Sequence, residues 1–366
     1  MQVEEWVDGQ GGFARTRQLL AAGATERMLT SAVRTGRLRR ARNGWYSTRD
    51  ADDPEFRAAR VGGIVAGLSA LRLLGVWEWS PDGVLRIAVR RGDARLRRSR
   101  GGRRRPRTRR EPGVVVRWDA ELPRRGPTPI TVEPLLDALE RTIRDEPAPV
   151  AAMALDWAYA EGRIDRIDLE SILVRAGTRG RRVARLVDEK SQSILEDAVR
   201  IPLLLRGHHV RAQHPLEGGG DIDLVVDRSV GLECDGRRFH VDRFESDRSK
   251  DLRMLATGLT PLRVGEKHVR HGWPLILAAL DAALRRHGRL VPAGNSGADI
   301  WRPPDGRLRR RSPRRTPEFP TGPPRNTPGP GRARPGGTGR DAAGPDAAGP
   351  GAAGDAAAGI DPAGCG

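Results

Sequence analysis

The chain has 366 residues, with 65 Lys+Arg against 47 Asp+Glu and a formal net charge of +18 at pH 7. Such a field favours polyanions, nucleic acid above all, although GC-rich coding raises Arg, Ala, Gly and Pro together with no functional demand. Its two cysteines, Cys234 and Cys365, exclude a disulfide framework and a zinc cluster. With neither a signal peptide nor an apolar run of about 18 residues, the expectation is a soluble, cytoplasmic protein with no membrane partner, in a reducing compartment.

Residues 1–50 read as short helices followed by a basic hairpin. Thr16 and Thr25 stand as N-caps, Gly23 and Gly36 as helix stops, and Met28, Leu29, Ala32 and Val33 repeat at helical spacing. Asn43-Gly44 is a hairpin-turn signal inside LRRARNGWYS. Helices, a tight turn and then a hairpin is the plan of a winged helix-turn-helix. Arg27, Arg34 and Arg37 lie on or beside its recognition helix, while Arg39, Arg40 and Arg42 flank the wing. A guanidinium can pair with guanine or touch phosphate, so these six are the candidate DNA contacts; a solvated basic face is the plainer alternative. Trp45 and Tyr46 read as small-domain core.

Residues 55–178 mix helix and strand, an α+β segment with no catalytic constellation. The stretch at 95–110, RLRRSRGGRRRPRTRR, holds ten arginines and no acid, and reads as a solvated loop able to touch a phosphate backbone. Residues 181–290 alternate helix and strand, the pattern of a layered α/β domain. Residues 291–366, rich in Pro, Gly, Ala and Arg, lack the periodicity to bury a core and read as a disordered tail.

Strand alternation singles out DIDLVVDRSVGLECDGRRFH. Ile222, Leu224 and Val226 form one face of the first strand, leaving Asp221 and Asp223 on the other; Glu233 and Asp235 share a face of the second. The DRSV connection suits an antiparallel hairpin, which sets the acidic faces side by side. Glu196 on the preceding helix adds a carboxylate, and His240 follows the second strand. Clustered carboxylates need protons or a cation, and such an oxygen-rich set suits Mg²⁺ or Mn²⁺, which polarises a phosphoryl oxygen or activates water. Taken singly, Asp221 and Asp235 also fit turns, and Glu233 also fits an arginine partner.

These residues resemble the PD-(D/E)xK nuclease motif: Asp223, then Glu233-Cys234-Asp235, with Glu196 as the helix-borne acid. More widely, SILEDAVRIPLLLRGHHVRAQHPL, DIDLVV, LECDG, FH, DRSKDLRMLATG and LTPLRV are similar to a bacterial domain family of unknown function related to the very-short-patch repair (Vsr) endonucleases, over about residues 193–264. The resemblance implies a restriction-endonuclease-like α/β/α fold and a divalent metal on Asp223 and Glu233, completed or oriented by Glu196. It implies a catalytic set of Glu196, Asp223, Glu233, Asp235 and His240, the histidine as a proton-transfer group. Asp247, Arg248 and Asp251 match the charged start of the next helix, Asp247 fitting an N-cap equally well. Asp235 stands where the motif's usual lysine would be, and the repair enzymes' zinc-ligand cysteines are missing.

The N-terminal GGFARTRQLLAAGATERMLTSAVRTGRLRRARNGWYS is similar to the winged helix of AbiEi-type antitoxins, and the central segment resembles the region that follows it. The expectation is therefore an α/β multidomain protein: a winged helix-turn-helix, a central α+β segment, a restriction-endonuclease-like domain and a tail. Its first functional expectation is a DNA-binding, Mg²⁺-dependent endonuclease acting in DNA repair or in defence against phage and mobile elements. The alternative is an antitoxin and transcriptional regulator of a type IV toxin–antitoxin system, partnered by a cognate toxin, with a silent nuclease-like domain.

Overall fold

The computed structural model describes residues 2–76, 82–92, 96–100, 111–119, 122, 130–236 and 244–288, with the backbone alone for 244–247. His240, Cys365, the greater part of the arginine-rich stretch and the segment 291–366 lie outside the described residues. The protein has a mixed α/β architecture built on three small sheets.

The N-terminal region runs α1 (Val3–Gly9), β1 (Phe13–Arg15), α2 (Thr16–Ala21), α3 (Glu26–Arg34), β2 (Arg39–Arg42) and β3 (Trp45–Ser47). Thr25 caps α3, its hydroxyl accepting the Met28 N–H at 3.3 Å, and the chain leaves α3 through Gly36 at φ 76°. Gly44 supplies the positive φ of the β2–β3 turn. Thr16 begins α2, whose cap is Arg15, one residue earlier than expected. β1 pairs antiparallel with β3, giving the order β1-β3-β2. Val3, Val7, Leu19, Leu29, Leu38 and Tyr46 close the core of this region. Phe13, Ala41, Phe56 and Ala59 form a second cluster that joins it to the next helix.

That helix is α4 (Pro54–Val61). The Asp53 carboxylate accepts the N–H groups of Glu55 and Phe56 at 2.8 and 3.1 Å, Pro54 fills the first turn, and Gly62 ends the helix at φ 116°. There follow β4 (Ile64–Val65), α5 (Gly67–Leu73), β5 (Leu85–Arg90) and β6 (Val114–Asp119), in a sheet ordered β4-β5-β6 with β5 and β6 parallel. Four helices complete the central region: α6 (Leu135–Asp145), α7 (Ala148–Ala160), α8 (Arg166–Arg175) and α9 (Gly177–Ala184). The apolar run VGGIVAGLSALRLL is broken at Gly63, where a Cβ would collide with the Ala88 carbonyl. At the start of the arginine-rich stretch Arg98 and Arg100 are exposed in irregular chain, while Ser99 between them is fully buried, its hydroxyl donating to Glu111 at 2.8 Å.

The C-terminal region runs α10 (Ile194–Leu205), β7 (Val210–Pro215), β8 (Asp221–Val226), β9 (Val230–Asp235), α11 (Phe244–Ala256), β10 (Thr260–Gly265), α12 (Glu266–His271) and α13 (Trp273–Arg286). The sheet order is β10-β9-β8-β7; β7, β8 and β9 are antiparallel neighbours, and β10 lies parallel to β9 after the α11 crossover. Leu224, Val226, Val230 and Leu232 pack with α10, α12 and α13, while Ile222, expected on the face of Leu224 and Val226, packs instead with Val225 and with Met254 of α11. The sheet is therefore covered on both faces.

One cluster of buried apolar residues extends from Ala58 to Leu284 and joins the central helices to the C-terminal sheet. A buried ion network crosses the same seam. Arg200 of α10, 2% exposed, donates to Asp156 of α7 at 2.8 Å and to Asp197 at 2.7 Å. Burial and the neighbouring Asp197 push the Asp156 carboxyl up to about 9. Asp197 Oδ2 is buried with no hydrogen-bond partner among the described residues. Two carboxylates thus share one guanidinium.

Candidate functional site

The acidic constellation forms where β8 and β9 part. Their ladder runs from the Val226↔Val230 pair to the Leu224↔Leu232 pair. Beyond it, side chains replace main-chain acceptors: Asp223 Oδ2 accepts the Cys234 N–H at 2.7 Å, and Glu233 Oε1 accepts the Asp223 N–H at 3.4 Å. Meanwhile β8 stays paired to β7 as far as Asp221, and β9 to β10 as far as Asp235. Asp223 and Glu233 thus meet in the fork between two strands.

Burial then shapes their chemistry. Glu233 is 6% exposed, and desolvation, with the Asp223 charge adding to it, pushes its carboxyl up to about 7. Desolvation also raises Asp223, against the Cys234 N–H that holds it down. Cys234 faces inward, its thiol raised by burial. Lys250 of α11 answers the negative charge, its Nζ donating to Glu233 Oε2 at 2.6 Å. Met254, one turn further along α11, sits over Gly231, where a Cβ would stand 2.6 Å from its sulfur. That missing Cβ lets the helix approach closely enough for Lys250 to reach Glu233.

Glu196 faces the fork from α10 but is held locally. Its carboxylate accepts the Ser193 hydroxyl at 2.8 Å, the Gln192 N–H at 3.1 Å and the Gln213 amide at 3.0 Å. The reciprocal bond from Glu196 N to Ser193 Oγ caps the helix. Burial raises its carboxyl, and Asp223 adds a smaller push after the hydrogen bonds that lower it. Asp235 turns to Arg263 of β10 at 3.4 Å, and Arg263 also holds Asp251 at 3.1 Å. Asp221 is exposed at the sheet margin, and Asp227 sits in the β8–β9 turn at φ 47° with its carboxylate on His208 at 2.7 Å.

Sequence reasoning missed two members of this site. Gln213, in the middle of β7, has a left-handed φ of 47°, hydrogen-bonds Glu196 at 3.0 Å and lies close enough to Asp223 to lower its carboxyl, so it links α10 to the fork. Non-glycine residues rarely adopt this conformation, and such strain gathers at functional sites. Lys250 is the other. Among the described residues, no three His, Cys, Asp or Glu side chains are grouped to hold a metal. Asp223 and Glu233 remain a carboxylate pair, and Mg²⁺ often takes just one or two protein carboxylates, with water or phosphate filling its other positions.

The second assembly is basic. Arg27 and Arg34 are exposed on α3 and make no ion pair or hydrogen bond among the described residues. Arg37 is committed to Glu4 at 2.7 Å, and Arg39 to Asp50 at 3.1 Å. Arg40 lies over the Tyr46 ring at 5.9 Å, while Arg42 is half-buried on β2. Trp45 and Tyr46 both pack into the interior, Trp45 also beneath Arg15 at 4.5 Å. Of the six arginines, Arg27 and Arg34 are the pair left free on the helix.

Among the described residues, no helix is long and apolar enough to cross a membrane. No curated protein matches the chain. Residues 1–47, which hold all six arginines, match the family model described as a transcriptional regulator, AbiEi antitoxin.

Proposed function

We propose that this protein binds DNA through its N-terminal region and acts as a transcriptional regulator of the AbiEi antitoxin type, partnered by a cognate toxin. The carrying observation is that the matched segment presents a helix with two unpaired arginines beside a basic hairpin. The order α1-β1-α2-α3-β2-β3, with β1 closing the hairpin into a sheet, is that of a winged helix. In such a module α3 enters the major groove and the hairpin rests on the backbone. A gel shift with the gene's own upstream region tests this. Arg34→Ala and Arg40→Ala are each expected to weaken the complex by roughly 1 kcal/mol or more. Unchanged shifts in both variants would contradict it.

A second reading is favoured by the Asp223–Glu233–Lys250 cluster. The order α10-β7-β8-β9-α11-β10, with the acids in the fork of the sheet, supports a restriction-endonuclease-like domain, and Lys250 brings from α11 the ammonium missing at position 235. On this reading Asp223 and Glu233 hold a divalent cation and Gln213 keeps Glu196 and Asp223 aligned. When bound, the cation polarises a phosphodiester and acidifies an attacking water. Lys250 would place positive charge beside the reacting phosphate. Plasmid nicking with Mg²⁺ or Mn²⁺ tests the reading. Glu233→Ala and Asp223→Ala are expected to abolish nicking. Equal nicking by wild type and both variants would rule it out.

A further inference from the structure

An open cleft of about 540 Å³ lies between the N-terminal region and α4, lined by residues of the α3 end, β2, α4 and the 99–100 segment. Four arginines border it: Arg39, Arg40, Arg60 and Arg100, against the single carboxylate of Asp52. The ion pair of Arg100 with Asp52, at 3.2 Å, is largely exposed on both sides, and pairs of that kind are readily exchanged for another partner.

Arg60 is the unusual member. It is half-buried on α4, its Nε is cut off from solvent, and it has no hydrogen bond or ion pair among the described residues. One turn earlier, Arg57 also has a buried Nε without a partner among the described residues, and its guanidinium donates to the Ser99 hydroxyl at 3.3 Å, with the charges of Glu111 and Asp52 nearby. A half-buried cation with nothing opposite it is costly, and an anion supplied from outside removes that cost. The floor contributes a different chemistry. Val33, Leu38 and Phe56 are apolar, so the cleft offers guanidinium walls over an oily base.

We propose that this cleft binds the phosphate of a nucleotide unit, with Arg60 and Arg100 on the phosphate and the apolar floor beneath the attached organic part. The guanidinium fork suits phosphate oxygens bidentately, and the volume is that of a small-ligand site. Two sources share this chemistry: the backbone of bound DNA, or a free nucleotide. The first rests on the DNA-binding reading above, and the second does not. With the first, the interface extends past residue 47 onto α4; with the second, the cleft is an effector site at the joint of the N-terminal region.

The test uses full-length wild type, Arg60→Met and Arg100→Met, with labelled upstream duplex in one arm and ATP titrated calorimetrically in the other. If DNA is the source, each variant weakens duplex binding about tenfold, lowers the salt slope by about one, and ATP shows no saturable binding. If a free nucleotide is the source, ATP saturates wild type and loses about tenfold or more in Arg60→Met, with duplex affinity unchanged. Arg60→Met removes an unpaired charge and keeps the stem, so the melting temperature is expected not to fall; Arg100→Met, at an exposed position, serves if it does. Unchanged duplex and ATP binding in both variants, with Arg34→Ala still weakening the duplex, overturns the cleft proposal and leaves the DNA-binding reading standing. If wild type binds no duplex, that reading fails, and ATP binding that is absent or insensitive to Arg60→Met overturns the cleft as well.

Discussion

Glu233 and Lys250 show how far single residues carry the chemistry. The carboxyl is raised from 4.5 to about 7 in the folded protein, so the fold binds a proton there that the unfolded chain has released. Stability from this group is full below pH 4.5 and is lost as pH rises through about 7. The upper bound is about 3 kcal/mol, at 1.36 kcal/mol per unit. Glu233→Gln is expected to flatten that part of the curve in urea melts at pH 5 and pH 8. Lys250→Met is expected to steepen it, because Glu233 then loses its cation; equal slopes in all three proteins would refute the pairing. Lys250 was legible in hindsight: the chain has three lysines, at 190, 250 and 267, and only this one stands a turn ahead of a core methionine. The motif directs attention to position 235, where Asp235 instead holds Arg263. Among the basic residues, pairing likewise ranks what sequence could only group. Arg37→Ala is expected to cost less DNA affinity than Arg34→Ala, since the Arg37 guanidinium already serves Glu4.

At the level of elements, the β8–β9 hairpin was readable because the turn is short and Leu224, Val226, Val230 and Leu232 share one face, although Ile222 leaves that face for Val225 and Met254. Of its carboxylates, Asp223 and Glu233 meet in the fork, while Asp221 is exposed and Asp235 turns to Arg263. β1 was not readable: three residues carry no usable period, and the strand exists only through its pairing with β3. α4 had its signals in Asp53 and Pro54, but the longer apolar run after it drew the reading away. The seam between α7 and α10 was also hidden, because Asp156 and Arg200 lie far apart in the chain and meet only in the fold. There the raised Asp156 carboxyl favours the fold at low pH, and that contribution is lost as pH rises towards about 9. Asp156→Asn removes the titration and keeps the size of the side chain. Its melting temperature is expected to hold between pH 7 and 10 while that of wild type falls; parallel declines would argue against the raised Asp156 carboxyl.

For the molecule as a whole, the cluster from Ala58 to Leu284 makes the central and C-terminal regions depend on one another. Calorimetry is expected to show them unfolding in one cooperative transition. The N-terminal region has its own core and meets the rest through Phe13, Ala41, Phe56 and Ala59. Phe56→Ala is expected to cost about 3 kcal/mol at this joint, separating an N-terminal transition from the main one in the same scans. This division matters for function, because the arginines offered to DNA ride on the smaller body and the buried acids on the larger. The most direct test of the DNA-binding reading is fluorescence anisotropy of the upstream duplex across a salt series, comparing wild type with Arg27→Ala/Arg34→Ala. Wild type is expected to bind with a log–log salt slope steeper by about two than the double variant. Binding that ignores salt, or identical slopes for the two proteins, would contradict it.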